Sequence, residues 1–187
     1  VITQPSAIVP SVKVSPVSCN GSANGSIEVN VTGGTAPYTY KWSTGAVSKD
    51  LINLSPGLYT VTVTATGGCT ATANGNVTQP TILNTSILSV KNVTCGGSDG
   101  MIDLNVTGGT NPYTYLWSSG AVVQDPSGMS AGNFTVTVTD GKNCTSTIRA
   151  DITQPGTLSA NISVTAQIAC FGGANGSLDL TVTGGTV

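Results

Sequence analysis

Chemistry in this chain would have to come from five cysteines, Cys19, Cys69, Cys95, Cys144 and Cys170, and from a few carboxylates. There is no histidine and no CxxC. The thiols therefore lack the further soft ligands of a zinc site and the base that would activate a nucleophile. What remains is disulfide formation, or burial as small reduced residues. Pairing in order, Cys19 with Cys69 and Cys95 with Cys144, is the economical reading. Each bond would close a loop of about 50 residues and stabilise by roughly 3–4 kcal/mol in the chain-entropy model. Cys170 would then have its partner outside the chain. Disulfides also imply export to an oxidising space.

The carboxylates offer less. Asp99 in GSDGM and Asp140 in TDGKNC have oxygens suited to calcium, but Asn24 or Ala23 and Ala65 stand at the matching places upstream, so no shared calcium site is expected. Glu28, Asp103 and Asp179 recur singly on polar strand faces, and no acid pair has the setting for general acid and base work. No catalytic residue, metal or cofactor is expected, and the chain does not read as an enzyme. No Gly-Lys-Ser/Thr follows the glycine-rich loops, which argues against phosphate binding. Only 7% of residues are charged, with 6 Lys plus Arg against 8 Asp plus Glu, and the scattered cations give no purchase on nucleic acid. No stretch approaches the roughly 20 apolar residues of a membrane span. Asn-X-Ser/Thr triplets such as Asn30-Val31-Thr32 follow from composition and are given no role.

The elements that hold these residues are repeated. GGTAPYTYKWSTG from Gly33 returns as GGTNPYTYLWSSG from Gly108, and GGT returns again at Gly184. Pro5, Pro80 and Pro155, Cys19, Cys95 and Cys170, Trp42 and Trp117, and Cys69 and Cys144 keep the same register of 75 or 76 residues. Residues 1–5 read as the last strand of a preceding repeat. Residues 6–79 and 80–154 form two full repeats, and 155–187 the first half of another. A unit of about 75 residues buries a modest share of its surface and needs a staple or a neighbour.

Within a repeat the patterning is that of strands. Ile27, Val29 and Val31 alternate with polar residues, as do Ile102, Leu104 and Val106, and Leu178, Leu180 and Val182. Pro10 and Pro16 mark an edge strand. Tyr38, Tyr40 and Trp42, with Tyr113, Tyr115 and Trp117, share one face of an aromatic strand. A later strand puts Tyr59 and Val61, or Phe134 and Val136, on one face. Tyr40, Trp42, Tyr59, Val61, Tyr115, Trp117, Phe134 and Val136 are the expected core; a sugar-stacking platform is the competing use of the rings. Six or seven short strands per repeat predict an all-β fold of tandem immunoglobulin-like β-sandwiches, joined stiffly at Gln-Pro into an extended rod.

The ordered blocks CNGSANGSI, VTGGTAPYTYKWSTG, LSPGLYTVTVT, GC and VTQP resemble the SprB repeat of gliding and surface adhesins from Bacteroidetes, over essentially the whole chain. The family often has Asp-x-Asn-Gly-Cys before the second cysteine; the second repeat keeps part of it in Asp140–Cys144, and the first has Ala65-Thr66-Gly67-Gly68-Cys69. The resemblance implies a stalk segment of a very large cell-surface filament. Such a filament is exported by the type 9 secretion system, and the outer-membrane attachment lies in parts outside this segment. Its partners would be neighbouring repeats and the secretion and gliding machinery, with surface polysaccharide or substratum gripped through other domains. Two other functions compete: glycan-binding modules acting by avidity, and an accessory region of a secreted multidomain enzyme.

Overall fold

Apolar and polar residues alternate along most of the strands, and the chain folds as that alternation demands. The computed structural model describes residues 4–185, and these contain fourteen strands and no helix. Residues 1–3 of the expected leading strand, and 186–187, lie outside the described residues. The chain divides into two compact units. One holds the residues up to Asn84 with Val106–Thr114 and Val138–Ser146; the other holds Thr85–Asn105, Tyr115–Thr137 and the residues from Thr147 onward.

In the first repeat, β1 (Val9–Ser15), β2 (Gly25–Thr32) and β4 (Leu51–Leu54) form one sheet in the order β1-β2-β4. A second sheet, ordered β3-β5-β6, comes from β3 (Tyr38–Trp42), β5 (Gly57–Ala65) and β6 (Thr70–Val77). All pairings are antiparallel. Pro10 and its neighbours lie on the edge strand β1, where a missing amide costs no ladder bond. Ile27 and Val29 of β2, Trp42 of β3, Leu51 and Leu54 of β4, Val61 and Val63 of β5 and Val77 of β6 form one buried cluster between the two sheets. That is a β-sandwich, with period-two alternation supplying both inner faces.

The aromatic row is not uniformly buried. Trp42 is enclosed and its indole N–H donates to the Ser48 carbonyl at 2.9 Å, whereas Tyr38, Tyr40 and Tyr59 are half-buried at the margin of the cluster. From that margin two of the phenol hydroxyls reach backbone acceptors. Tyr38 donates to the Gly33 carbonyl at 2.6 Å and Tyr59 to the Ser55 carbonyl at 2.9 Å.

The second repeat follows the same order. β7 (Asn84–Lys91), β8 (Gly100–Thr107) and β10 (Ser127–Met129) make one sheet, and β9 (Thr114–Trp117), β11 (Gly132–Thr139) and β12 (Thr145–Ile152) the other. Ile102, Leu104, Trp117, Val136, Val138 and Ile152 are buried, while Tyr115 and Phe134 are half-buried. Finally β13 (Gly156–Ala166) and β14 (Ser177–Gly185) pair as a hairpin whose apolar residues, Ile162, Leu178 and Leu180 among them, remain exposed.

Candidate functional site

Two features of each repeat meet at one corner: the glycine pair after the second strand and the hairpin that carries the second cysteine. At Gly33 the backbone has φ of 67°, and a Cβ there would lie 1.9 Å from the Ala7 carbonyl oxygen. Gly108 has φ of 70° and stands in the same relation to the Ile82 carbonyl oxygen. Only glycine allows that approach. It also lets the next amide, of Gly34 or Gly109, donate to Ser6 or Thr81 at 2.9 and 3.0 Å, and a tyrosine hydroxyl, Tyr38 or Tyr113, closes on the first glycine's carbonyl. The opening residues of each repeat are thereby fastened to its corner.

The cysteine hairpin packs beside it. In the first repeat the Ala65 amide donates to the Cys69 carbonyl and the Thr66 amide to the Thr35 carbonyl, both at 2.9 Å. In the second, Asp140 and Gly141 make the equivalent bonds to Cys144 and Thr110. The Asp140 carboxylate, 4% exposed, accepts three more amides: Thr110 at 2.8 Å, Lys142 at 2.8 Å and Cys144 at 2.9 Å. Burial alone would push this carboxyl up. The amides of Cys144, Lys142 and Thr110, with the charge of Lys142, outweigh that and hold it below the usual carboxylate range. Asp140 is thus a loop organiser satisfied by backbone donors.

The loop of the first cysteine is at the other end of the sandwich. Asn24 Oδ1 accepts the Ser18 amide at 3.0 Å, Asp99 Oδ1 the Thr94 amide at 2.9 Å, and Asn175 Oδ1 the Ala169 amide at 3.2 Å. Asp99 therefore does the work of an asparagine. That amide, followed by an ion pair with Lys91 at 3.1 Å, holds its pKa below the ordinary value. Among the described residues no group of three or more His, Cys, Asp or Glu could hold a metal ion.

The disulfide corrects the expected pairing. Cys19 is bonded to Cys144, 125 residues away, with Cα atoms 5.6 Å apart, and Cys69, Cys95 and Cys170 are free and exposed. Neither Cys19–Cys69 nor Cys95–Cys144 forms. The reason is strand length. Cys19 precedes β2 and Cys69 lies at the corner beyond its far end, so eight residues rising about 3.3 Å each put roughly 25 Å between them. A disulfide spans no more than about 7 Å between Cα atoms. Cys144, taken by Cys19, is not open to Cys95.

What lies next to Cys19 is the start of the following repeat. The Val17 amide donates to the Thr78 carbonyl at 3.1 Å, Asn20 Nδ2 to the Pro80 carbonyl at 3.0 Å, and the Gly21 amide to Gln79 Oε1 at 2.9 Å. A repeat begins at its glycine corner and leaves at its first-cysteine loop. Chain continuity therefore brings the first-cysteine loop of one repeat to the glycine corner of the next, where the second cysteine waits. All of these residues belong to the first compact unit.

Sequence reasoning also passed over Asp50 and Asp125, whose Oδ1 atoms accept the Val29 and Leu104 amides at 2.8 and 2.9 Å. The signal was present: an aspartate at the same register in both otherwise divergent connections.

The model of the SprB repeat matches residues 11–47, 87–122 and 162–187, together more than half of the chain and in the register of the cysteine loops and glycine corners. The chain belongs to the SprB repeat family. Family membership implies an extracellular or cell-surface setting, to which a formed disulfide is suited. No curated protein matches the chain. Similar solved structures include one titled for Dscam isoform specificity, at 14% identity over 81% of this chain and 46% of that one, TM-score 0.37. Another is Sidekick-1 immunoglobulin domains 1–4, at 12% identity over 82% of this chain and 50% of that one, TM-score 0.38. A third is DIP-gamma IG1+IG2, at 11% identity over 78% and 97%, TM-score 0.34. The chain thus spans about half the length of the first two. Among the described residues of these SprB repeats no helix is long and apolar enough to cross a membrane.

Proposed function

We propose that this segment is a structural stalk of a very large extracellular adhesin, a cell-surface filament used in gliding and exported by the type 9 secretion system. Residues 6–79 and 80–154 are its complete modules, and adhesive contacts are made by domains elsewhere in the parent protein. Length is what a stalk needs, and tandem modules supply it without a special site in each.

The observation that carries the reading is the bond from Cys19 to Cys144, which ties successive repeats into one covalent loop. Tension applied at the ends of the chain passes through that bond, and the residues between the two cysteines cannot be drawn out while it lasts. Pulling single molecules tests this. With the disulfide intact, unfolding releases only residues outside the loop. After reduction, a further roughly 430 Å of contour becomes available, at about 3.5 Å for each of the 125 residues. Equal extension before and after reduction would remove the mechanical reading.

A further inference from the structure

We infer that the cysteines of this array form a relay, the first cysteine of each repeat bonding to the second cysteine of the repeat after it, and that the corner around Cys69 is a socket for the first-cysteine loop of a preceding repeat. The inference rests on the tandem family and the observed bond, and does not depend on an adhesive role.

Two independent observations lead there. The first is which thiols are free. Under the rule set by Cys19 and Cys144, Cys69 needs the first cysteine of a repeat upstream, and Cys95 and Cys170 need second cysteines downstream of residue 187. These three, and no others, are unpaired among the described cysteines. Pairing inside each repeat would have left only Cys170 over.

The second is the shape of the corner. A cavity of about 320 Å³ opens beside Cys69, lined by Gln4, Pro5, Ala7, Ile8 and Thr70 among others. In the next repeat, Ile82, Leu83, Cys144 and Thr145 are the counterparts of Ala7, Ile8, Cys69 and Thr70, and they face Cys19 and Asn20. Gln79 and Pro80, the counterparts of Gln4 and Pro5, accept the Gly21 amide and the Asn20 side chain. The backbone frame around Cys69, with Gln, Pro, Cys and Thr at the same places, thus repeats one that already holds a loop of the sequence Cys-Asn-Gly, with Ala7 and Ala65 where the other has Ile82 and Asp140. The loop Cys170-Phe171-Gly172 repeats the turn of Cys19-Asn20-Gly21, with a left-handed glycine (φ 80° and 75°) and the amide of Gly173 or Ser22 donating to the cysteine carbonyl; in the second repeat the turn opens on Thr94, so Cys95 stands one place later, directly before the left-handed Gly96 (φ 70°).

Forming each bond requires an oxidant, taken here to be an external disulfide. A thiolate of one repeat attacks it and becomes a mixed disulfide. The thiolate of the partner repeat then attacks the protein sulfur of that mixed bond and expels the second small thiolate. Two protein thiols are oxidised, and one external disulfide is reduced to two thiols.

The test lengthens the chain in register. A second copy of residues 80–154 is inserted after Gln154, carrying C95S so that it adds a single cysteine and R149K so that the peptide around that cysteine differs in mass from the one around Cys144. The protein is oxidised with oxidised glutathione, alkylated, and mapped by mass spectrometry without reduction. The relay requires the original Cys95 to be bonded to the added copy of Cys144, with Cys69 and Cys170 alkylated. Finding the added cysteine alkylated, or bonded to Cys69, would overturn it. The Cys19–Cys144 peptide in the same digest reports folding. In the unlengthened chain the relay requires three alkylated cysteines, Cys69, Cys95 and Cys170, whereas a Cys19–Cys69 or Cys95–Cys144 peptide there removes its founding bond.

Discussion

The corners at Cys69 and Cys144 have one backbone and two chemistries. The second carries the buried Asp140 carboxylate with three amides on it, where the first has only the Ala65 methyl group. Yet both hairpins close with the same bonds, from residue 65 or 140 to the cysteine carbonyl and from Gly68 or Asn143 back again at 3.0 Å. Both place a residue of positive φ before the cysteine, Gly68 at 85° and Asn143 at 62°. The turn is therefore a property of backbone closure and of the left-handed residue. The carboxylate is an addition made where the hairpin also anchors a formed disulfide.

The largest effect expected from this comparison is an asymmetry between the cysteines. Cys144→Ser removes a bridge closing a very long loop and should lower unfolding free energy by about 4–5 kcal/mol, whereas Cys69→Ser in the same chain should change it by less than about 0.5 kcal/mol. Urea denaturation of the oxidised proteins reads both, and equal losses would mean that the corners do not differ as described.

Next comes the shared frame. Gly33→Ala and Gly108→Ala each force a Cβ against a carbonyl oxygen at positive φ, so each should cost about 3 kcal/mol or more, and by similar amounts. A tolerated substitution at either corner would refute the common backbone.

Asp140→Ala should cost less, about 2 kcal/mol, because three amides lose a charged acceptor while the turn keeps the closure seen at Ala65. The same residue fixes a pH dependence. Its folded pKa is depressed, so its contribution is complete above the unfolded value of about 3.9 and disappears as pH falls through the folded value. The stability gap between the parent chain and Asp140→Asn should therefore be flat above about pH 5 and narrow in more acid solution. A gap that widened on acidification would reverse the assigned sign. Smallest of all, Asn143→Gly should shift stability by only a few tenths of a kcal/mol, since Gly68 already serves at the matching place.

Much of this molecule was legible in its residues. Alternation at Ile27 and Val29, or Ile102 and Leu104, named the inward faces, and the prolines marked β1 as an edge. The rings are harder to read, because period two assigns a face but not a depth, and Tyr59 and Phe134 both stop half-buried at the margin. Asp99 and Asn24 look unlike on paper, yet each supplies one oxygen to one amide, so their equivalence emerges only with the loop folded. The cysteine pairing is hidden for a related reason: thiols that are neighbours along a repeat lie at opposite ends of its sandwich.

By itself the sequence determined the repeat, its register, the strands and the faces they bury, because side-chain alternation and turn residues act locally. Which thiol meets which was decided by tertiary structure alone. A disulfide needs its two Cα atoms within about 7 Å, and an eight-residue strand carries the chain well beyond that, so the bond goes to whatever the folded chain brings back to the same end.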